Sequence, residues 1–348
     1  MIQTEKIEEC ILCGNKGKVL YKNLEDRLFG APGKYGFLKC LKCNLIWLNP
    51  CAIKEDIPKC YLNYFTHSLP EDSPQFNKKR FLAPLRDLIR NLILSETMGY
   101  RQFKINKWWA PLLGKILSRI PILRFGAGFG RGVLFPPFIG EGRLLEVGCG
   151  NGGYLKFMQN LGWKVLGIDI DAEALKIAKE KFNLSVILGS LEEIKFPENS
   201  FDIIATFHVI EHIPNPITFL KECYRILKPK GRLIISTPNA ESLAHKIFKE
   251  NCRILEPPRH FYLYSLFHLK KLLKNFGFKI LHLSTTSNIA NFIYQSSIQI
   301  KKFGKVDLNR KFNHSAFLFE KLEMILLIFF KNIGEEIRII ATKNYKVF

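Results

Sequence analysis

From Arg143 to the C-terminus, apolar runs of strand length alternate with stretches of helical spacing. Strand-like runs fall at 143–147, 164–169, 185–189, 201–207 and 231–237, each short and rich in apolar or β-branched residues. Between them, apolar residues recur at three- and four-residue intervals over 152–161, 171–181 and 216–227, and again over 265–276. That alternation predicts a mostly parallel sheet flanked by helices. Residues 278–285 and 335–343 alternate like two further strands. The insertion between them, about 288–333, carries Lys301, Lys302, Lys305, Arg310 and Lys311, and ends in a stretch, Leu318 to Phe330, that is apolar nearly all round. Such a stretch is expected to be buried or to make a greasy contact.

The pattern ahead of Arg143 is less regular. Residues 81–123 show helical spacing broken by Pro84, Gly99, Pro111 and Pro121, with Trp108 and Trp109 in the middle. This predicts a helical cap on the following domain; a lid over the site or an interfacial helix is the alternative. An aromatic and polar run at 61–67 leads into a charged linker through Arg80, and 126–137 reads as a loop. Nearer the N-terminus stand Cys10-x-x-Cys13 and Cys40-x-x-Cys43, with Gly14 and Asn44 placed for tight turns after each pair. Four thiolates from two knuckles suit tetrahedral Zn²⁺, so Cys10, Cys13, Cys40 and Cys43 are the expected metal ligands of a zinc ribbon with a hairpin around Gly30 to Gly36. Cys51 and Cys60 lack pair spacing and read as ordinary residues. The expected organisation is a zinc-ribbon domain at 1–60, a helical cap or linker at 61–140, and an α/β domain at 141–348 interrupted by the insertion.

Composition changes this picture only at its edges. With 47% hydrophobic and 24% charged residues the chain reads as globular, not disordered. A net charge of +21 creates a field that attracts phosphate, nucleic acid or anionic lipid, and it names no single partner. The first residues lack a basic start with an apolar core, no run reaches membrane-spanning length, and paired cysteines suit a reducing compartment. The expectation is a cytoplasmic protein, with peripheral membrane contact through its apolar segments as an additional partner.

The candidate chemistry centres on Arg143 to Gly153, a strand followed by glycines at 148, 150 and 153 and then a helix start. Glycines there allow a sharp turn and close approach of a ligand, and the helix start leaves amide donors free. Asp169 ends the second strand about twenty residues later, where a carboxylate accepts ribose hydroxyls. This spacing fits NAD as well as S-adenosylmethionine. Glu146, two residues before Gly148, separates them: a carboxylate gains nothing facing a pyrophosphate, whereas a cofactor bearing sulfonium and ammonium groups gains from it.

On these residues the stretch 143–285 resembles class I S-adenosylmethionine-dependent methyltransferases, especially the group similar to ubiquinone-pathway O-methyltransferases. The matching pieces are Leu-Leu-Glu-Val-Gly-Cys-Gly-Asn-Gly at 144–152, Gly-Ile-Asp at 167–169, Phe-Asp-Ile-Ile at 201–204, Glu211-His212, Leu-Lys-Pro-Lys-Gly at 227–231 and Thr-Pro-Asn at 237–239. The resemblance implies a Rossmann-like class I methyltransferase sheet, parallel with one antiparallel strand, behind a small zinc ribbon and a helical segment. It implies that Gly148 and Gly150 face the methionine end of the cofactor, Glu146 supports it, Asp169 holds the ribose, and Ser190 and Leu191 lie beside adenine. Many members carry aspartate where Ser190 stands. It also implies that His208 lines the cofactor.

His212 is the candidate general base for a substrate hydroxyl, with Glu211 and His212 bracing the loop as the alternative. In Pro257-Pro258-Arg259-His260-Phe261-Tyr262 the prolines are expected to present Arg259 and His260 at the same edge, Arg259 toward an anionic substrate group or a structural carboxylate. The front of the chain, with Cys-Ile-Leu-Cys-Gly, Asp26-Arg27-Leu28-Phe29 and 61–67, is similar to the ribbon region of a subset of these enzymes. The expected activity is methyl transfer from S-adenosylmethionine to a small-molecule or glycan-type, lipid-linked acceptor, at a site formed by His208, His212 and His260. RNA is the alternative acceptor, suggested by the net charge, and a non-catalytic ribbon protein with a disabled methyltransferase fold is a second alternative.

Overall fold

Apolar residues too closely spaced to face water on either side can be satisfied only inside a sheet covered on both faces. The central runs of this chain form such a sheet. The computed structural model describes residues 2–61, 83–120, 123, 135–307, 310 and 313–343. The 61–67 motif beyond Tyr61, the linker through Arg80, most of the 126–137 loop and Lys311 lie outside the described residues.

The strands are β1 (Thr4–Glu5), β2 (Gly17–Leu24), β3 (Tyr35–Cys40), β4 (Ile46–Leu48), β5 (Cys51–Ala52), β6 (Arg143–Val147), β7 (Lys164–Asp169), β8 (Val186–Leu188), β9 (Phe201–Phe207), β10 (Leu227–Pro238), β11 (Tyr262–Leu263), β12 (Phe278–Thr286) and β13 (Glu336–Lys343). The helices are α1 (Ala83–Thr97), α2 (Ala110–Ser118), α3 (Gly153–Asn160), α4 (Ala172–Phe182), α5 (Leu191–Ile194), α6 (Pro216–Ile226), α7 (Leu243–Phe248), α8 (Leu266–Asn275), α9 (Ala290–Phe303) and α10 (His314–Phe329).

Seven strands run in the order β12-β13-β10-β9-β6-β7-β8, and β13 alone is antiparallel to its neighbours β10 and β12. This is the Rossmann-like class I methyltransferase sheet, parallel with one antiparallel strand. Register places Val147 beside Thr206, Phe207 beside Ser236, and Pro238 beside Glu336, which in turn pairs with Thr286. The ends of β6, β7, β9, β10 and β12 and the start of β13 therefore share one edge, where ligands bind in open α/β sheets. The insertion rises from that same edge.

The strand expected at 231–237 begins earlier, because Leu227 pairs with Phe201 before the Lys-Pro-Lys-Gly turn interrupts the ladder; Lys230 there has φ 62°. The insertion is two helices, α9 and α10, packed on each other, with Tyr294 and Phe319 stacked at 4.5 Å. Residues 81–123 contain α1 and α2, and Pro111 sits at the start of α2, where its missing N–H costs nothing. Among the described residues no helix is long and apolar enough to cross a membrane.

The N-terminal strands do not stand apart. β11 pairs with β4, so a strand from beyond the main sheet completes a four-stranded sheet with β4, β3 and β2. Phe37, Leu45 and Trp47 share one apolar core with Ile204, Leu220 and Leu269. Arg259, fully buried, is the polar bolt across this seam: it donates to Asp26 through Nη1 (2.8 Å) and Nη2 (2.7 Å), to Glu256 Oε1 through Nε (2.9 Å), and to the Cys60 carbonyl (3.0 Å). The expectation that Arg259 could face a substrate anion gives way to this structural role, because carboxylates of the chain already hold its guanidinium.

Candidate active site and cysteine cluster

The glycine loop turns at the end of β6 with Gly148 and Gly150 at φ 71° and 51°. A Cβ on Gly148 would come within 2.3 Å of Val209 Cγ2, so both conformation and space require glycine there. Asp169 fixes the loop from the next strand: its Oδ2 accepts from Gly150 N (2.8 Å) and its Oδ1 from Asp171 N (3.0 Å). Burial raises its pKa, and these amide donors oppose the shift.

Beside this loop opens a cavity of about 640 Å³ lined by Gly148, Gly150, Asp169, Ser190, Leu191 and Glu192 and closed by Phe207, His208, His212 and Phe219. Pro58 and Tyr61 from the N-terminal region complete its wall. Ser190 caps α5 in a reciprocal box with Glu193, which presents Leu191 to the cavity. A second cavity of about 270 Å³ shares Phe207 and His208 with the first and is lined by Ser236, Asn288, Ile289, Glu336 and Arg338. His208 stands between the two.

The electrostatics of the two histidines at the rim differ. His208, held at φ 56°, approaches Glu336 Oε1 through Nε2 (3.1 Å) and Glu211 Oε1 through Nδ1 (3.5 Å). Enclosure would lower its pKa, but the two carboxylates outweigh it and raise the imidazole to about 10, so it is a cation at neutral pH. In return, Glu336 is held down at about 2 despite its burial, and it also accepts from Ser236 and Arg338. His212 goes the other way: burial, with the neighbouring His260, pushes it down to about 4. Its Nδ1 lies 3.1 Å from the Arg259 carbonyl and 3.0 Å from the Tyr61 hydroxyl. A carbonyl only accepts, so Nδ1 carries the proton and Nε2 keeps a lone pair.

The four paired cysteines converge. Sγ of Cys10 and Cys43 are 3.5 Å apart, as are those of Cys13 and Cys40, and all four lie within 4.8 Å of one another. Tetrahedral zinc with Zn–S near 2.3 Å sets its sulfurs about 3.8 Å apart, so the cluster fits the ion. Amides of Lys42 and Cys43 donate to Cys40 Sγ (3.4 Å each), and although burial raises this thiol, they outweigh it and hold it near 7. From the main-sheet side, His268 Nε2 reaches the Cys43 carbonyl at 2.8 Å, which ties α8 to the second knuckle.

Residues 120–283 match a protein family described as "Methyltransferase domain". Those residues are a methyltransferase domain. Among curated relatives, a ubiquinone biosynthesis O-methyltransferase of Bradyrhizobium diazoefficiens is 35% identical over 147 residues, covering 38% of this chain and 57% of that protein. A probable S-adenosylmethionine-dependent methyltransferase of Mycolicibacterium smegmatis is 33% identical over 97 residues, covering 28% of this chain and 38% of that protein. The chain thus spans less than two thirds of the length of either relative. Among solved structures, a SAM-dependent methyltransferase from Archaeoglobus fulgidus aligns over 66% of this chain and 94% of its own at 22% identity, with a TM-score of 0.42.

Within the methyltransferase domain, Gly148, Gly150, Asp169, Ser190, Leu191, His208 and His212 all meet at the first cavity. Glu146 and His260 do not line it. Glu146 is buried behind the loop, 4% exposed, its Oε2 without a hydrogen-bond partner; burial, with Asp169 nearby, raises its pKa well above the usual carboxylate range. His260 packs edge-on behind His212 with ring centroids 4.6 Å apart, and its Nδ1 faces the Ile254 carbonyl (2.7 Å). Sequence reading missed Tyr61, Phe207, Phe219 and the Ser236–Glu336–Arg338 group. Of these, the aromatic ending β9 carried a usable signal, because it sits one residue before His208 at the ligand edge.

Proposed function

We propose that this chain transfers a methyl group from S-adenosylmethionine to a small-molecule or glycan-type acceptor, a lipid-linked one among the candidates. The observation that carries this reading is that two cavities share Phe207 and His208 in their walls: one bordered by the glycine loop and Asp169, the other smaller and lined by Ser236, Glu336 and Arg338. When bound, S-adenosylmethionine supplies an electrophilic methyl on a sulfonium cation. Asp169 is assigned to the ribose, since each of its oxygens keeps a lone pair beyond the amide it already accepts. Gly148 and Gly150 give the backbone close access to the methionine end, and Leu191 with Ser190 borders adenine. Glu146, a buried acid with an unpaired oxygen, fits a cationic neighbour and is assigned to support of the amino-acid end through the loop.

The acceptor is assigned to the second cavity, against the His208–Glu336–Arg338 network. His208, as a cation pinned by two carboxylates, orients and does not take a proton. His212 lines the first cavity and not the second; it keeps an unprotonated Nε2 and is assigned to accept a hydroxyl proton from the part of the acceptor that extends past His208 into the first cavity, though a pKa near 4 makes it a weak base. Most of the acceleration is therefore expected from positioning in a partly dry site. His260 is assigned the role of holding His212 in place. Cys10, Cys13, Cys40 and Cys43 are assigned to structural zinc, which fixes the segment that delivers Tyr61.

Titration calorimetry with zinc-loaded protein tests the cofactor assignment. S-adenosylmethionine is expected to bind, and Asp169→Ala to weaken it; absence of binding by the unaltered protein would overturn the reading. Incubation with methyl-labelled cofactor and fractionated extract tests the acceptor: label following RNA would favour the second reading, which rests on the net charge of +21.

A further inference from the structure

Helix α10 is apolar nearly all round but packed on only one side. Ala316 and Phe319 turn inward, and so does Glu323, whose Oε1 accepts from Glu335 N (2.9 Å). The other side carries Leu318, Leu322, Ile325 and Phe329, which are 63%, 49%, 57% and 73% exposed. Their spacing of four, three and four residues forms one stripe along the helix, and Ile328 at 69% widens it. A soluble helix of this length ordinarily shows charge on its outer face. Here, among the described residues, the insertion also carries exposed cations on and beside α10 in the chain: Lys301 and Lys302 at the end of α9, Lys305 and Arg310 in the connection, Lys321 within α10 and Lys331 just beyond it. Asp307 is the one exposed carboxylate among the described residues from 301 to 331.

We infer that this face docks on a bilayer containing anionic phospholipid. An apolar stripe with exposed cations beside it in the chain satisfies both requirements of interfacial binding, insertion of hydrocarbon and attraction to negative headgroups. A second copy of the chain fits less well, because docking by the same face would set these cations against those of the other copy. The insertion leaves the sheet at the ligand edge, and its first residues, Asn288 and Ile289, line the smaller cavity. This surface stands independently of the methyl-transfer reading.

The test is co-sedimentation of the full zinc-loaded chain with phosphatidylcholine vesicles, pure or containing one-quarter phosphatidylglycerol, with light scattering of the vesicle-free protein alongside. The chain is expected to sediment with the anionic vesicles and to be released by salt. The double variant Ile325→Asp, Phe329→Asp is expected to lower partitioning by about tenfold or more while keeping its melting midpoint. The charge variant Lys321→Glu, Lys331→Glu, which leaves the apolar stripe intact, is expected to lower it on anionic vesicles only. Unaltered protein remaining in the supernatant with both vesicles would overturn the inference, as would a double variant that binds equally well, or a dimer that the double variant dissociates. Cofactor calorimetry on the same preparations reads the methyl-transfer proposal separately.

Discussion

Trp47 in the N-terminal module is 1% exposed, whereas Phe329 on α10 is 73% exposed, although both lie in segments added to the same sheet and both belong to strongly apolar stretches. The N-terminal strands bury their apolar residues against the methyltransferase domain, pair with its β11 and close the seam with the Arg259–Asp26–Glu256 cluster. The insertion buries one side of α10 and leaves the other outside. The difference separates two uses of hydrophobic sequence: one makes the module inseparable from the fold, and the other leaves free energy available for an encounter.

The sharpest way to break this comparison is removal of the cysteine cluster. Cys10→Ser with Cys40→Ser, or chelation, is expected to destabilise the whole chain by several kcal/mol, less than the roughly 10 kcal/mol or more of isolated zinc-finger peptides, because a shared apolar core also holds the ligand segments. Thermal melts with and without chelator would measure it. A loss confined to the N-terminal strands, with the sheet melting unchanged, would show that the module is separable after all. Next in size, Asp26→Asn leaves Arg259 buried beside Glu256 with one partner weakened; about 3–5 kcal/mol is expected by denaturant unfolding, the usual cost of breaking a buried pair.

At the ligand edge, Asp169→Ala is expected to lower cofactor affinity about 10- to 100-fold by calorimetry, the loss of about one hydrogen bond to a charged acceptor. Its effect on the melting midpoint should be smaller than that of Asp26→Asn. The seam also sets an acid limit. His260, pushed by burial from 6.5 to about 4, stays neutral in the folded chain at a pH where the unfolded chain takes up a proton. Its contribution to folding is therefore complete above about 6.5 and is lost as pH falls toward 4. Melting midpoints are expected to drop across that window, and His260→Gln to flatten the drop. Smallest of all, Ile325→Asp on α10 should change stability by no more than about 0.5 kcal/mol, as exposed substitutions do. A large loss there would mean that the face is covered within the folded chain.

Much of the site was legible because its residues are local. The strand, glycine turn and Asp169 occupy positions 143–169, and the backbone conformations they need are coded by the residues themselves. The cysteine pairs were legible for the same reason, since ligand spacing within each knuckle is a local property. Tyr61 was not, because it reaches His212 across 151 positions, and nothing near it in sequence reports that contact. Glu146 shows the other limit: its charge pointed to a cationic cofactor, but its side chain lies behind the loop and not on the cavity wall.

The sequence by itself determined the order of strands and helices, the glycine loop, the carboxylate at 169 and the two thiolate pairs, since periodicity, turn chemistry and short spacings are carried by neighbouring residues. Only the tertiary structure decided the partners of the charged groups. Arg259 became a bolt and not a substrate clamp, His208 a cation and His212 a neutral imidazole, because these states depend on which distant carboxylates and carbonyls folding brings within a few ångströms. The same holds for α10, whose apolar residues all look alike in sequence. Packing against α9 buried one side and left the other facing outward.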